Sequence, residues 1–192
     1  AEKAVYLTRE AIYNIDGVIF NNCFIDIEVV NHKGAAGSNS ITGCTFQSSG
    51  LGLIAPHFGD RKFAGIVLDD VSLINIGSAA SGIDPNIFSE SLYGIKSKNS
   101  SIKLLNNEFH DIWNNESTPT VGMCFYSESD FDFSDRSIQI GNSFTNGLNA
   151  FYRSRSGLVG FGEMNYNIIK NDFGINNEDA DRLRNHGIGI SS

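Results

Sequence analysis

The sequence predicts an all-β fold in which short strands stack in parallel along one axis, that is, a parallel β-solenoid. Three observations predict it: a phrase ending in Phe recurs along the chain, a second phrase starting with Gly alternates with it, and the repeats lack a helical period. Strands of about three to six residues cannot bury a face alone. The repeats must therefore stack on one another.

The first phrase carries an Asn two residues before its Phe in four of its five copies. Equivalent residues in stacked strands lie about 4.8 Å apart. The Phe side chains are therefore expected to form an internal stack, and the Asn side chains an amide ladder at a bend, where Asn tolerates the left-handed conformation. The expected members are Asn22, Asn107, Asn142 and Asn171 for the ladder, and Phe24, Phe46, Phe109, Phe144 and Phe173 for the stack.

The second phrase begins with Gly65, Gly94, Gly122 and Gly187, and residues 150–152 are expected to fill the gap before the last copy. Together the phrases predict one parallel β-helix domain over residues 1–192, with about six to seven turns. Insertions are expected near residues 47–64, 78–91, 113–120 and 176–185. Residues 187–192 read as the opening of a fresh turn, so an uncapped fragment of a longer chain is expected.

A β-sandwich of short antiparallel strands is the alternative architecture. It would also give short alternating patterns separated by turn residues. It offers no reason, however, for one Asn-x-Phe phrase to recur at a fixed phase, so the solenoid is favoured.

Composition limits the classes of partner. The chain of 192 residues is 41% hydrophobic and 19% charged, as expected of one globular domain. Its net charge of −8 disfavours nonspecific binding to nucleic acid, because phosphates would be repelled. No apolar run is long enough for a membrane-spanning segment. Cys23, Cys44 and Cys124 are expected to be buried free thiols, with a Cys23–Cys44 disulfide as the alternative.

Residues 94–109 read Gly-Ile, then Ser-Ile-x-Leu, then Asn-Asn-x-Phe. This order resembles the right-handed parallel β-helix repeats of pectate-lyase-like proteins, and the Asn- and Ser-rich style is similar to that of secreted surface proteins of the Bacteroidetes type. The resemblance covers the rhythm of residues 15–192. It implies a right-handed coil and a secreted or cell-surface location. Related proteins include noncatalytic adhesins and scaffolds as well as polysaccharide lyases, hydrolases and epimerases.

Two motifs are similar to the paired aspartates and the Gly-His-Gly of polygalacturonases. They are Asp69-Asp70 and Asn185-His186-Gly187, which lie several turns apart along the axis. A glycosidase needs its two carboxyl groups within about 10 Å of each other. No catalytic residue is therefore predicted.

Glu128, Asp130 and Asp132 alternate along one strand and share a face, where they could hold a hard cation such as Ca²⁺. The Asp-x-Asp-x-Asp-Gly loop of a dedicated calcium site is missing. A solvated strand face is therefore favoured, and no metal or cofactor is predicted.

The predicted ligand site consists of Tyr126, Tyr152, Arg153 and Arg155. If Phe125 stacks on Phe151, these residues lie one turn apart and near Lys96 and Lys98. Tyrosine rings can stack on sugars, and Arg can pair with uronate carboxylates. Ordinary surface charge is the alternative interpretation.

The function predicted from the sequence is a noncatalytic, secreted or cell-surface segment that acts as a rigid scaffold or adhesin. The alternative is a carbohydrate-active β-helix enzyme, a polysaccharide lyase or hydrolase, or a glycan-binding module. The expected partners are other parts of a longer chain or a surface or secretion assembly, and polysaccharide. Nucleic acid is not among them.

Overall fold

The computed structural model describes residues 1–9, 12–32, 39–48, 52–72, 74–112, 123–128, 142–145, 149–152, 156–161, 166–169 and 188–191. These residues form eighteen strands and no helix. Every strand pairing is parallel, and each sheet contains every third strand of the chain. The last strand is the exception, because it follows the preceding member of its sheet by two strands and not by three.

The strands make three sheets, here called A, B and C. Sheet A contains β1 (Lys3–Thr8), β4 (Ile25–Val30), β7 (Lys62–Asp69), β10 (Ser91–Lys98), β13 (Met123–Glu128), β16 (Ser156–Phe161) and β18 (Ile188–Ser191). Sheet B contains β2 (Asn14–Asp16), β5 (Ser40–Thr42), β8 (Ile74–Ile76), β11 (Ile102–Leu104), β14 (Asn142–Thr145) and β17 (Tyr166–Ile169). Sheet C contains β3 (Ile19–Asn21), β6 (Thr45–Gln47), β9 (Asn86–Ser89), β12 (Asn107–His110) and β15 (Ala150–Tyr152).

This arrangement confirms the prediction of an all-β fold with parallel strands in stacked sheets, and it is consistent with a β-helix-like solenoid. The Gly phrase lies in sheet A, where Ile66, Ile95 and Phe125 stand in register and are buried. The prediction that residues 150–152 continue this row is wrong. Leu158 of β16 follows Phe125, because residues 150–152 form β15 of sheet C.

An aromatic stack runs through the core beside sheet C, and its membership corrects the predicted one. Phe20, Phe46, Phe88 and Phe109 lie with ring centroids 5.2, 4.5 and 4.8 Å apart and planes within 10° of parallel. Phe46 and Phe109 were expected there. Phe88 was not, because it lies in the predicted insertion 78–91, which contains β9 and the first residue of β10.

Two other predicted stack members lie elsewhere. Phe24 directly precedes β4 of sheet A, while Phe20 occupies the position opposite Phe46. Phe144 lies in β14 of sheet B, one residue beyond the pairing of Ser143 with Lys103. Phe173 is outside the described residues.

A buried amide ladder stands at the bend between sheets B and C. Asn86 donates from Nδ2 to Oδ1 of Asn107 at 2.9 Å, and Asn107 donates from Nδ2 to Oδ1 of Asn149 at 2.8 Å. Asn107 was expected in a ladder. Asn22 instead forms the bend that follows β3, with φ +57°, and Asn142 lies in β14. Asn171 is outside the described residues.

The bends share one conformational requirement. In ten of them the residue directly after a strand has a positive φ: Arg9, Gly17, Asn22, Asn31, Gly43, Asp70, Gly77, Glu90, Asn99 and Asp111. The left-handed region favours Gly, Asn and Asp, which fill eight of these places. The repeated Asn therefore serves two purposes, as a bend residue and as a ladder amide.

Gly77 offers a test of how tightly the bend between sheets B and C is packed. It has φ +84°, and a Cβ there would lie 1.8 Å from the carbonyl oxygen of Leu105. Gly82 has the same φ, with nothing within 4 Å of the added carbon. We expect Gly82→Ala to lower the free energy of unfolding by about 1–2 kcal/mol from backbone strain alone. Gly77→Ala is expected to cost several kcal/mol more, because backbone must move. Urea denaturation measures both, and equal losses would contradict the packing argument.

Candidate binding surface

The structure separates the two tyrosines of the predicted ligand site. Tyr126 lies in β13 of sheet A, whereas Tyr152 lies in β15 of sheet C. The grouping depended on Phe125 standing above Phe151. Phe125 is instead in register with Leu158, so the two tyrosines do not share a sheet.

Other residues singled out in the sequence are placed as follows. Arg153, Arg155, Asp130, Asp132 and the 185–187 motif lie outside the described residues. Asp69 ends β7, and Asp70 is the left-handed bend residue after it. In the part of the chain that the structure describes, no group of three or more His, Cys, Asp or Glu side chains is placed to hold a metal ion.

Tyr126 belongs to a continuous row of rings on the outer side of sheet A, here called the aromatic surface. It consists of Phe24, His57, Phe63, Tyr93 and Tyr126. The centroid separations are 3.6 Å for His57 and Phe24, 5.6 Å for Phe24 and Phe63, 5.2 Å for Phe63 and Tyr93, and 5.7 Å for Tyr93 and Tyr126. All five side chains are half-buried, so each keeps part of its ring in solvent.

These rings come from neighbouring strands, which lie about 4.8 Å apart, but they are not register partners. Tyr93 pairs with Ala64 and Met123, and Tyr126 pairs with Lys96, so the rings meet by reaching across the strands. Phe63, Tyr93 and Tyr126 come from the adjacent strands β7, β10 and β13, and Phe24 directly precedes the next strand, β4. Alternation along a strand sends Ile95 and Ser97 into the core and Lys96 outward.

Lys96 places its ammonium group among three of these rings. Its Nζ atom lies 5.7 Å from the centroid of Phe63 and 5.8 Å from those of Tyr93 and Tyr126. Within about 6 Å a cation is attracted by the negative face of a ring. Lys96 is therefore held over the aromatic surface as its central positive charge.

The two tyrosines of the surface are polar but uncharged near neutral pH. Burial raises the pKa of Tyr126, and so does its hydrogen bond with Glu128, to which the phenol donates at 2.7 Å. Burial and the charge of Glu128 also raise the pKa of Tyr93. Both phenols therefore remain protonated.

The segment between β6 and β7 supplies one end of the surface. It presents His57 against Phe24, and it exposes 85% of Phe58 and 66% of Ile54. A buried ion pair ties the end of this segment to sheet A: Lys62 pairs with Asp26 and donates to the carbonyl of Gln47 at 3.2 Å. Burial raises the pKa of Asp26 to about 6 and lowers that of Lys62, each opposed by the charge of its partner.

Sequence reasoning found Tyr126 and Lys96 but missed the other rings. Phe63 and Tyr93 stand two residues and one residue before the recurring Gly65 and Gly94. Because these offsets differ by one, strand alternation would send the two rings to opposite faces, so the repeat alone does not predict the row. The buried pair had no signal either, since Asp26 and Lys62 belong to different strands and no repeat aligns them.

The prediction for the cysteines is confirmed, because Cys23, Cys44 and Cys124 are buried and free. Within the described residues, no helix has the length and apolar character needed to cross a membrane. No known protein family, curated protein or solved structure matches the chain. The functional proposal therefore rests on the fold and on the aromatic surface.

Proposed function

We propose that this chain is a noncatalytic segment of a secreted or cell-surface protein, in which a right-handed parallel β-helix serves as a rigid scaffold with an adhesive face. The right hand comes from the resemblance to pectate-lyase-like repeats, and the extracellular location comes from the resemblance to secreted surface proteins of the Bacteroidetes type. The adhesive face is the aromatic surface of sheet A, and its proposed ligand is polysaccharide.

The observation that carries the proposal is a row of half-buried rings on a continuous parallel sheet. Each ring packs against the next, so the rings lose little conformational freedom when a ligand binds. Aromatic rings with a few polar groups beside them are typical of ligand sites. Here Lys96 and the phenols of Tyr93 and Tyr126 supply the polar groups that can bond to sugar oxygens.

The stacked core supports the scaffold part of the proposal. The aromatic stack and the amide ladder run from strand to strand at fixed spacing, so the position of each ring on the outer face is set by the core beneath it. A ligand that lies along the axis meets the rings of Phe24, Phe63, Tyr93 and Tyr126 at centroid separations of 5.2 to 5.7 Å.

We expect the full chain to bind at least one member of a panel of immobilised plant, algal and animal polysaccharides. We expect Tyr93→Ala to raise the Kd about three- to tenfold, the effect of losing one aromatic contact. Tyr6→Ala is the matched control, because Tyr6 is an exposed tyrosine on β1 of the same sheet but outside the aromatic surface. Equal effects of the two substitutions, or no binding to any polysaccharide, would contradict the proposal.

The enzymatic alternative is tested in the same incubation, with Ca²⁺ present, by following unsaturated products and new reducing ends. It depended on Tyr126, Tyr152, Arg153 and Arg155 converging with carboxylates in a groove, and the two tyrosines lie in different sheets. Turnover that is abolished by Arg153→Ala or Arg155→Ala would replace the scaffold proposal by an enzymatic one.

A further inference from the structure

A polar groove lies on the outer face of sheet B, away from the aromatic surface of sheet A. Its volume is about 330 Å³, at the small end of the range for ligand sites. Strand register builds its floor, because Asn14, Ser40, Asn75 and Lys103 stand side by side on β2, β5, β8 and β11. These four side chains point outward, since the neighbouring Ile41, Ile74 and Ile76 fill the core.

A turn after β8 makes one wall of the groove. Ser78 and Ile83 line it, and Ile83 keeps 37% of its surface exposed. The turn is held by internal hydrogen bonds: the Ala80 amide donates to Oγ of Ser78 at 3.1 Å, and the Ile83 amide donates to the Ala80 carbonyl at 3.3 Å. The wall therefore offers one apolar contact beside a polar floor.

The hydrogen bonds within the floor leave a defined set of groups for a ligand. Ser40 donates from Oγ to Oδ1 of Asn14 at 2.5 Å, and Thr42 donates from Oγ1 to Oδ1 of Asp16 at 2.6 Å. Both hydroxyl protons are thus used, and the hydroxyl oxygens remain as acceptors. Among the described residues, Nδ2 of Asn14 has no acceptor and Oδ2 of Asp16 has no donor.

The charges of the groove balance. Asp16 is its carboxylate and Lys103 its ammonium group, and neither forms an ion pair within the part of the chain described. They stand on β2 and β11, three strand spacings or about 14 Å apart. For an ion that spans the groove, the attraction of one of these charges is offset by the repulsion of the other, so the groove selects neither sign. The chain's net charge of −8 adds repulsion for anions.

We propose that this groove binds a neutral, hydroxyl-rich ligand of the size of a short oligosaccharide. A hydroxyl group both donates and accepts, so one type of ligand group can satisfy the Asn14 amide, the Lys103 ammonium group, the Asp16 carboxylate and the two hydroxyl oxygens. Floor and wall together match the polar rim and the apolar faces of a sugar ring. The site lies on a different sheet from the proposed adhesive face and does not depend on it.

The experiment is a titration of the full, isotopically labelled chain with neutral trisaccharides (cellotriose, xylotriose and maltotriose), followed by amide chemical shifts. We expect saturable shifts at Gly43, Asn75 and Gly77 and none at Tyr93 or Lys96. Asp16→Ala is expected to raise the Kd about tenfold or more, because it removes a charged hydrogen-bond acceptor, and Asn14→Ala about threefold.

Asn21→Ala is the matched control, because Asn21 is an exposed strand asparagine of sheet C, outside the groove. It should leave the Kd unchanged. Trigalacturonate should bind more weakly than the neutral trisaccharides. The proposal is overturned if no neutral trisaccharide shifts the groove amides, if the acidic trisaccharide binds more tightly, or if Asp16→Ala and Asn21→Ala have equal effects. Shifts confined to Tyr93 and Lys96 would assign binding to the aromatic surface alone.

Discussion

Lys62→Met is expected to lower the free energy of unfolding by about 3–5 kcal/mol at pH 8. The side chains of Lys62 and Asp26 are both fully buried and pair with each other. Methionine fills much of the space of lysine but leaves the Asp26 carboxylate in the protein interior without a counter-charge. The loss is measured by urea denaturation of the variant and the unmodified chain.

The loss should depend on pH in a definite direction. Burial already raises the pKa of Asp26 to about 6, and Lys62 is the charge that holds it from rising further. Without Lys62 the folded pKa rises again, while the unfolded value stays at the ordinary 3.8. A carboxyl group with a raised folded pKa loses stability as pH rises from the unfolded to the folded value. In the unmodified chain Asp26 is ionised above about pH 6, and its effect on stability is then complete. In the variant Asp26 continues to ionise at higher pH. The difference in free energy of unfolding between the two chains should therefore be small at pH 5 and grow from pH 6 to pH 8.

Two further variants separate the missing charge from other effects. The double variant Asp26→Leu/Lys62→Met removes both charges and should recover most of the stability at pH 8. Lys3→Met breaks the partly exposed pair of Lys3 with Glu28 in the same sheet and should cost no more than about 1 kcal/mol. A deficit for Lys62→Met that is constant from pH 5 to pH 8 would show that lost packing, not the buried carboxylate, is responsible.

The stacked parallel architecture was predictable because each repeat must bury a face against its neighbours, and this requirement leaves a recurring pattern. The phase of that pattern was harder to predict. Residues 105–109 cross the bend between sheets B and C, where Asn106 is left-handed and Asn107 joins the ladder. Residues 20–24 cross the next bend, from sheet C to sheet A, where Asn22 is left-handed. The same sequence pattern therefore occurs at two different bends of the solenoid.

Three Asn-x-Phe pairs share one bend in the structure. They are Asn86 and Phe88, Asn107 and Phe109, and Asn149 and Phe151, and pairing of β9, β12 and β15 brings Phe88, Phe109 and Phe151 into register. The first was hidden by Pro85 before it, which suggested a turn. Each Asn of these pairs stands in the buried ladder, which distinguishes it from Asn22 at the bend between sheets C and A.

The candidate sites were less predictable than the fold. A row of side chains on one outer face follows from strand register, and register depends on loop lengths that no local rule supplies. Tyr126 and Tyr152 show the consequence. The prediction assigned residues 150–152 to the same sheet as Tyr126, whereas they form a strand of sheet C. The groove of sheet B needed both register and the turn at residues 78–85, so its residues showed no shared motif.

The amide ladder should make a large polar contribution to stability, and Asn107→Leu tests it. Nδ2 of Asn107 lies within hydrogen-bond distance of the carbonyl oxygens of Ile76 and Leu105 and of Oδ1 of Asn149, and its own Oδ1 accepts from Asn86. Leucine leaves these groups buried and unsatisfied, each at a cost of about 1–3 kcal/mol. We expect the free energy of unfolding to fall by about 3 kcal/mol or more in urea denaturation. The exposed Ser81 of the turn after β8 provides the control, because Ser81→Leu should change the free energy of unfolding by less than about 0.5 kcal/mol.

The ladder prediction has a sharper form, because a ladder couples its members. Asn86→Ala leaves Oδ1 of Asn107 without the donor it has in the folded chain, so a second change at Asn107 has less left to remove. In a double-mutant cycle with Asn107→Ala, we expect the two losses to sum to more than the loss in the double variant, by about 0.5–3 kcal/mol. Strictly additive losses would mean that the carbonyl contacts of each Asn, and not the amide-to-amide bond, hold the bend. Each Asn would then stabilise its own bend independently, and the repetition of Asn along the axis would follow from the stacking of the bends alone.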